Sequence, residues 1–161
     1  MIYPKRKNGK EHGSVYTNEK TVDFILALSG LTKISDFLTK KTLEPAAGDG
    51  AFIKVILKKI LQQIDGDPNL LINALKNITI IEIDKNKLNK LKKNLYSVFN
   101  EYDFEASSYI QYITFINDDF LFHEFEKYDV IIGNPPYIRY DNIPKEKRIL
   151  YKKSFDCFKN R

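Results

Sequence analysis

The sequence predicts an α/β protein built on a mainly parallel sheet of about four strands. Three observations carry this expectation. Short apolar runs rich in β-branched residues alternate with amphipathic stretches of helical spacing. A Gly-x-Gly turn, Gly48-Asp49-Gly50, stands between one such run and a helical segment. No repeat or low-complexity tract interrupts the alternation. With 161 residues, 43% of them apolar, the chain has the material for one core and the length of one domain.

Each element has a local reason. Thr17-Asn18 offers an N-cap to a helix running to about Ser29, with Val22, Ile25, Leu26 and Leu28 inward and Gly30 as its stop. Thr42-Leu43-Glu44-Pro45 reads as a short strand. From Ala51 to Ile64, the residues Phe52, Val55, Ile56, Ile60 and Ile64 recur at helical spacing. Asp65-Gly66-Asp67-Pro68-Asn69 breaks that helix, and Leu70–Lys76 forms a second helical piece. Ile78 to Ile83 is apolar and β-branched, a buried central strand. Asp84 caps a helix whose apolar face is Leu88, Leu91, Leu95 and Val98. A third strand is expected over 112–116 and a fourth over 128–133, leading into Asn134-Pro135-Pro136-Tyr137. Pro144 reads as the first residue of a basic helix ending near Phe158.

Composition removes several classes. Ile, Leu, Val and Phe are too frequent for a disordered chain. No apolar run approaches the ~20 residues of a membrane span. The basic start, Met1 to Lys10, leads into no apolar stretch and is not read as a secretory signal. A single cysteine, Cys157, excludes an internal disulfide and a cysteine-based metal cluster. A cytoplasmic address is expected by default, with no membrane partner and no metal. The net charge of +5 is unevenly placed: residues 1–20 carry five basic and two acidic side chains, and residues 139–161 carry eight and three. Basic ends around an acidic middle fit a polyanion whose phosphates the ends contact; a solvated lysine-rich surface is the plainer reading of charge alone.

The chemistry concentrates at strand ends. Missing Cβ atoms at Gly48 and Gly50 let backbone approach a ligand beside the first strand. No Gly-Lys-Ser/Thr follows, so the turn is not a triphosphate loop, and Ile53 stands where a dinucleotide fingerprint has its third glycine. Glu44, a carboxylate at the end of a buried strand, suits a ligand with a cationic or neutral centre rather than a pyrophosphate. Glu82, at the end of the second strand, can accept both hydroxyls of a ribose, where a solvated strand-end charge is the plainer reading of the residue alone. Asn117-Asp118-Asp119-Phe120 puts polar groups and a ring at the third strand end, where ordinary turn chemistry is the competing reading. In Asn134-Pro135-Pro136-Tyr137 two prolines fix φ and remove two donors, leaving carbonyls that only accept. Acceptors beside a stacking ring suit a planar group bearing an NH₂. His12 and His123 have no assigned role.

Asn134-Pro135-Pro136-Tyr137, Leu43-Glu44-Pro45-Ala46-Ala47-Gly48-Asp49-Gly50, Ile81-Glu82-Ile83-Asp84 and Asp118-Asp119-Phe120, in this chain's arrangement, resemble the gamma-class adenine-N6 DNA methyltransferases of restriction–modification systems. Gly13-Ser14-Val15-Tyr16-Thr17 is similar to that class's first cofactor motif, with Asn18 where the class usually has proline. Leu150-Tyr151-Lys152-Lys153-Ser154-Phe155 resembles the stretch after its catalytic loop. The resemblance covers about residues 13–158.

It implies a Rossmann-like fold that binds S-adenosylmethionine. Tyr16 and Thr17 would hold the methionine end of that cofactor with Glu44, Pro45, Ala46, Gly48 and Gly50. Glu82 would take the ribose hydroxyls, Ile83 would pack on the adenine, Asp119 would accept from its amine, and Phe120 would lie by the ring. Asn134 and the Pro135 carbonyl would accept from the amine of a target adenine flipped from double-stranded DNA. Pro136 would stiffen the loop and Tyr137 would stack on the base. The class has seven strands in the order 3-2-1-4-5-7-6 and a separate target-recognition domain. Four strands are legible here, so the chain is expected to be a truncated, partial catalytic domain: 1–30 the first motif and its helix, 31–138 the core and catalytic loop, 139–161 a basic helix. Alone it would be inactive or partly active, and its fourth strand would be an apolar edge inviting the missing C-terminal part or a second subunit. Three other readings stand beside this one. The same loop serves methyltransferases of a protein glutamine or an RNA base, the chain is a non-catalytic cofactor- or partner-binding remnant, or, more distantly, it is a nicotinamide dehydrogenase.

Overall fold

A computed structural model describes residues 17–124 and 126–159. The first-motif residues Gly13 to Tyr16, and His12, lie outside the described residues. The chain divides into two compact units, one of residues 16–135 and one that contains residues 136–159.

The larger unit holds a four-stranded, all-parallel sheet: β1 (Thr42–Glu44), β2 (Ile78–Ile81), β3 (Thr114–Ile116) and β4 (Val130–Ile131), in the order β3-β2-β1-β4. This is the expected α/β class, with the order the resemblance implies for the first four strands. Register pairs Leu43 with Thr79 and Ile131, and Ile80 with Glu44 and Phe115. The helices are α1 (Glu19–Leu28), α2 (Ile34–Thr39), α3 (Ala51–Leu61), α4 (Pro68–Lys76), α5 (Lys85–Glu101) and α6 (Ala106–Tyr109). Phe52, Ile56 and Ile60 of α3, with Leu91, Leu95 and Phe99 of α5, form one buried cluster with Ile78, Ile80 and Ile132. No described helix is long and apolar enough to cross a membrane.

Caps sit where the sequence placed them. The Asn18 side chain accepts from Thr21 N (2.9 Å) at the start of α1, and Asp84 Oδ1 accepts from Asn86 N (2.8 Å) at the start of α5. Four expectations need correction. Leu28 is exposed, because α1 turns only Val22 and Leu26 fully inward. β2 ends at Ile81, so Ile83 lies beyond it and is 50% exposed. β3 and β4 are shorter than expected: each is an edge strand with one neighbour, so its ends lack partners on the other side. Pro144 is the N-cap of the last helix, in extended geometry (φ −52°, ψ 141°), rather than its first turn.

Gly50 shows why the turn after β1 is glycine-rich. It has φ +82°, and a Cβ added there would fall 3.0 Å from Leu91 Cγ on α5. Gly50→Ala therefore combines left-handed backbone with overpacking and is expected to cost about 2 kcal/mol. A urea midpoint that drops at unchanged slope checks it.

In the second unit, α7 (Lys145–Ser154) lies between one-turn 3₁₀ segments at 140–142 and 156–158. Buried Tyr151 packs on Phe158, with ring centroids 5.3 Å apart. The Arg148 guanidinium lies 5.3 Å over the Tyr140 ring.

Candidate active site at the carboxyl ends of the strands

From β1 the chain steps to β2 and then β3 on one side, and β4 takes the other side of β1. Strand order therefore reverses between β1 and β4. In open parallel sheets that reversal leaves a crevice at the carboxyl ends of the strands, where ligands bind. The sequence-predicted residues of the larger unit stand at these ends: Glu44 and Pro45 after β1, Glu82 and Ile83 after β2, Asp119 and Phe120 after β3, Asn134 and Pro135 after β4. The β1 and β4 ends touch. A Cβ added to Gly133 would lie 3.4 Å from Pro45 Cδ and 3.8 Å from Glu44 Cγ.

Glu44 is only 3% exposed. Its Oε2 accepts from Ile53 N at 3.1 Å, in the first turn of α3. The N-cap of that helix is Gly50, which has no side chain to offer, so the strand supplies the cap from below. Burial nevertheless dominates and pushes the carboxyl up from 4.5 to about 8, against the backbone donors of Ile53 and Phe52. Among the described residues no cation pairs with it.

Glu82, 7% exposed, ties two turns together. Its Oε2 accepts from Gly48 N (2.8 Å) and its Oε1 from Asp84 N (2.9 Å). Four lone-pair sites on a carboxylate leave capacity for further donors. Asn117, at the end of β3, donates through Nδ2 to the carbonyls of Glu82 (2.8 Å) and Ile83 (3.0 Å). Gly48 has φ +54°, and nothing lies within 4 Å of where a Cβ would sit. Pro45 and Ala46 are half-buried beside it. Asp119 opens a 3₁₀ turn over 120–122, its Oδ1 accepting from Leu121 N (3.2 Å), with Phe120 half-buried behind it.

Asn134 is half-buried, and its Nδ2 donates to Thr17 Oγ1 at 3.1 Å. Pro135 is exposed. Pro136 and Tyr137 belong to the second unit, where Tyr137 is 68% exposed. Tyr16 is outside the described residues. Three features were not read from the sequence: the Asn117 tie, the close approach of Gly133, and the Thr17–Asn134 bond. Only Gly133, a glycine at a strand end, carried a local signal.

A parallel sheet in this order, with a glycine turn after β1 and carboxylates at its first two strand ends, is the fold of the Rossmann-like methyltransferases. More narrowly, the chain belongs to the Eco57I restriction-modification methylase family, which it matches over residues 19–161. It is 31% identical over 161 residues to the Type II methyltransferase M.BstVI of Geobacillus stearothermophilus, covering 93% of this chain and 29% of that protein. It is 25% identical over 158 residues to the Type II methyltransferase M.XhoI of Xanthomonas vasicola, covering 94% and 29%. Against the Type II methyltransferase M.PaeR7I of Pseudomonas aeruginosa it is 26% identical over 167 residues, covering 89% and 27%. The chain thus spans less than a third of the length of these relatives.

Proposed function

We propose that this chain carries the cofactor site and acceptor loop of an S-adenosylmethionine-dependent DNA methyltransferase acting on the exocyclic N6 amine of adenine. The observation that carries the reading is the contact between the β1 and β4 ends, with the Gly133 Cβ position 3.4 Å from Pro45 Cδ. This supports the reading because the start of the proposed acceptor loop, at Gly133, lies close to the turn that would hold the methyl donor. The Type II methyltransferase relatives support DNA as the substrate. The eight basic side chains of residues 139–161 suit a phosphate backbone.

The residues present fit this cofactor. Glu44 is a buried carboxyl with no paired cation among the described residues, which suits a ligand bearing positive charge. The open left-handed Gly48 leaves room where a side chain would stand. Glu44, Pro45, Ala46, Gly48 and Gly50, with Tyr16 and Thr17, would hold the methionine end; Glu82 the ribose; Ile83, Asp119 and Phe120 the adenine. Bound there, S-adenosylmethionine supplies an electrophilic methyl group on a sulfonium.

The chain's own residues do the rest. Asn134 Oδ1 and the Pro135 carbonyl accept from the two N–H bonds of the target amine. That would draw its nitrogen toward tetrahedral geometry and free its lone pair to take the methyl in line, the sulfur keeping the electrons of the broken C–S bond as a neutral thioether and one amine proton leaving to solvent. Pro136 stiffens the loop, so its acceptors are already aimed. Tyr137 stacks on the flipped base. No covalent enzyme intermediate is required.

The test offers labelled S-adenosylmethionine to the polypeptide carrying this sequence, with adenine-containing duplex DNA, RNA and a release-factor peptide in parallel. Label in the N6 position of duplex adenine is expected. Label only in the peptide glutamine or only in RNA overturns the choice of substrate, and absence of cofactor binding by equilibrium dialysis overturns the reading itself.

A further inference from the structure

The hydrogen bond between Asn134 and Thr17 joins residues 117 positions apart, from opposite ends of the larger unit's sequence. A carboxamide keeps nearly the same shape when turned over, but the turn exchanges an acceptor for a donor. In the loop after β4 that exchange decides whether the group attracts an amine's N–H bonds or opposes them. We propose that Thr17 is a positioning residue for methyl transfer: its hydroxyl oxygen accepts from Asn134 Nδ2 and thereby holds the amide with Oδ1 toward the acceptor amine. The inference rests on the reading of Asn134 as an acceptor for that amine.

Thr17 is well placed to hold another side chain still. It directly precedes Asn18, whose carboxamide caps α1 through Thr21 N (2.9 Å) and Thr21 Oγ1 (3.1 Å). The helix is anchored in turn: Val22 and Leu26 are fully buried, Glu19 pairs with Lys58 (3.1 Å) and Asp23 with Lys59 (2.8 Å) on α3. A functional group held by a residue directly preceding the N-cap of such an anchored helix keeps its orientation better than one braced only by its own loop. The hydroxyl also retains its own hydrogen after accepting from Nδ2. Thr17 can therefore serve Asn134 while donating to a cofactor.

The two roles separate experimentally. In the ¹⁵N-labelled chain the Asn134 side-chain amide, assigned by its loss in Asn134→Asp, reports the bond without any ligand. Thr17→Val removes the acceptor at nearly constant shape, and Thr17→Ser keeps it. The expected result is amide exchange with water about 5- to 10-fold faster in Thr17→Val and slow again in Thr17→Ser. In the methyl-transfer assay kcat falls by a similar factor in Thr17→Val, with DNA KM little changed, and Thr17→Ser recovers it. On an Asn134→Ala background the Thr17→Val loss in kcat disappears. An amide signal unmoved by Thr17→Val, or a variant that weakens only cofactor binding, overturns the inference and leaves the functional reading intact. An amide that responds while Asn134→Ala methylates normally overturns the reading of Asn134 and the positioning role with it.

Discussion

On the proposed reading, replacing Asn134 with alanine is expected to lower kcat for methyl transfer by about 100- to 1,000-fold, the loss typical of one preorganised polar group at a reacting centre. The physical reason is geometric. The amine of an adenine is planar, with its lone pair spread into the ring. Only acceptors fixed out of that arrangement favour the pyramidal nitrogen that attacks. In the proposed site Pro135 would offer one carbonyl and Asn134 the other, and alanine removes the second. Asn134 is half-buried at a strand end, and its proposed role is toward the acceptor amine rather than the cofactor. Cofactor affinity is accordingly expected to stay within about twofold. Single-turnover transfer to duplex DNA, with cofactor binding measured in parallel, checks both parts. Full activity in the variant removes the loop from the mechanism.

Glu44→Gln changes how stability depends on pH. In the folded chain burial raises the Glu44 carboxyl to about 8, against an ordinary 4.5. Between those values the folded state holds a proton that the unfolded chain releases. Stability therefore falls as pH rises through this window, by about 1.4 kcal/mol per unit from this group. Across the window the loss is on the order of 4–5 kcal/mol, complete above pH about 8 and absent below about 4.5. Glutamine keeps an oxygen for Ile53 N but cannot ionise. Urea unfolding should find the variant's advantage over the natural residue growing steadily from pH 5 to pH 8. A gap that does not widen shows that the carboxyl is not held protonated. A cation bound beside Glu44 favours the charged form, so cofactor binding near neutral pH should release a proton.

The sequence announced what local rules can announce. Ile78–Ile81 is β-branched and apolar, and Asn18 and Asp84 are caps next to the helices they start. The short α2 was missed because six residues show too little period. It is held by Asp36 Oδ2, which accepts from Lys33 N (2.9 Å) and Thr32 N (3.0 Å) ahead of the helix. Strand ends were overestimated because β propensity continues where pairing partners do not. At the site, the chemistry-bearing residues were legible as types at strand ends, but their partnerships were not. Glu44 caps a helix that begins seven residues later, and Asn117 reaches back 35 residues to Glu82. Spacing along a chain cannot announce such bonds.

Glu82 grips Gly48 N and Asp84 N at once, while Asn117 fastens the carbonyls of Glu82 and Ile83 from the next strand. The turns after β1 and β2 and the end of β3 are thereby tied into one unit. Under the proposed function a ribose reaching Glu82 would meet a carboxylate whose direction these bonds already hold, which lowers the ordering cost of binding there.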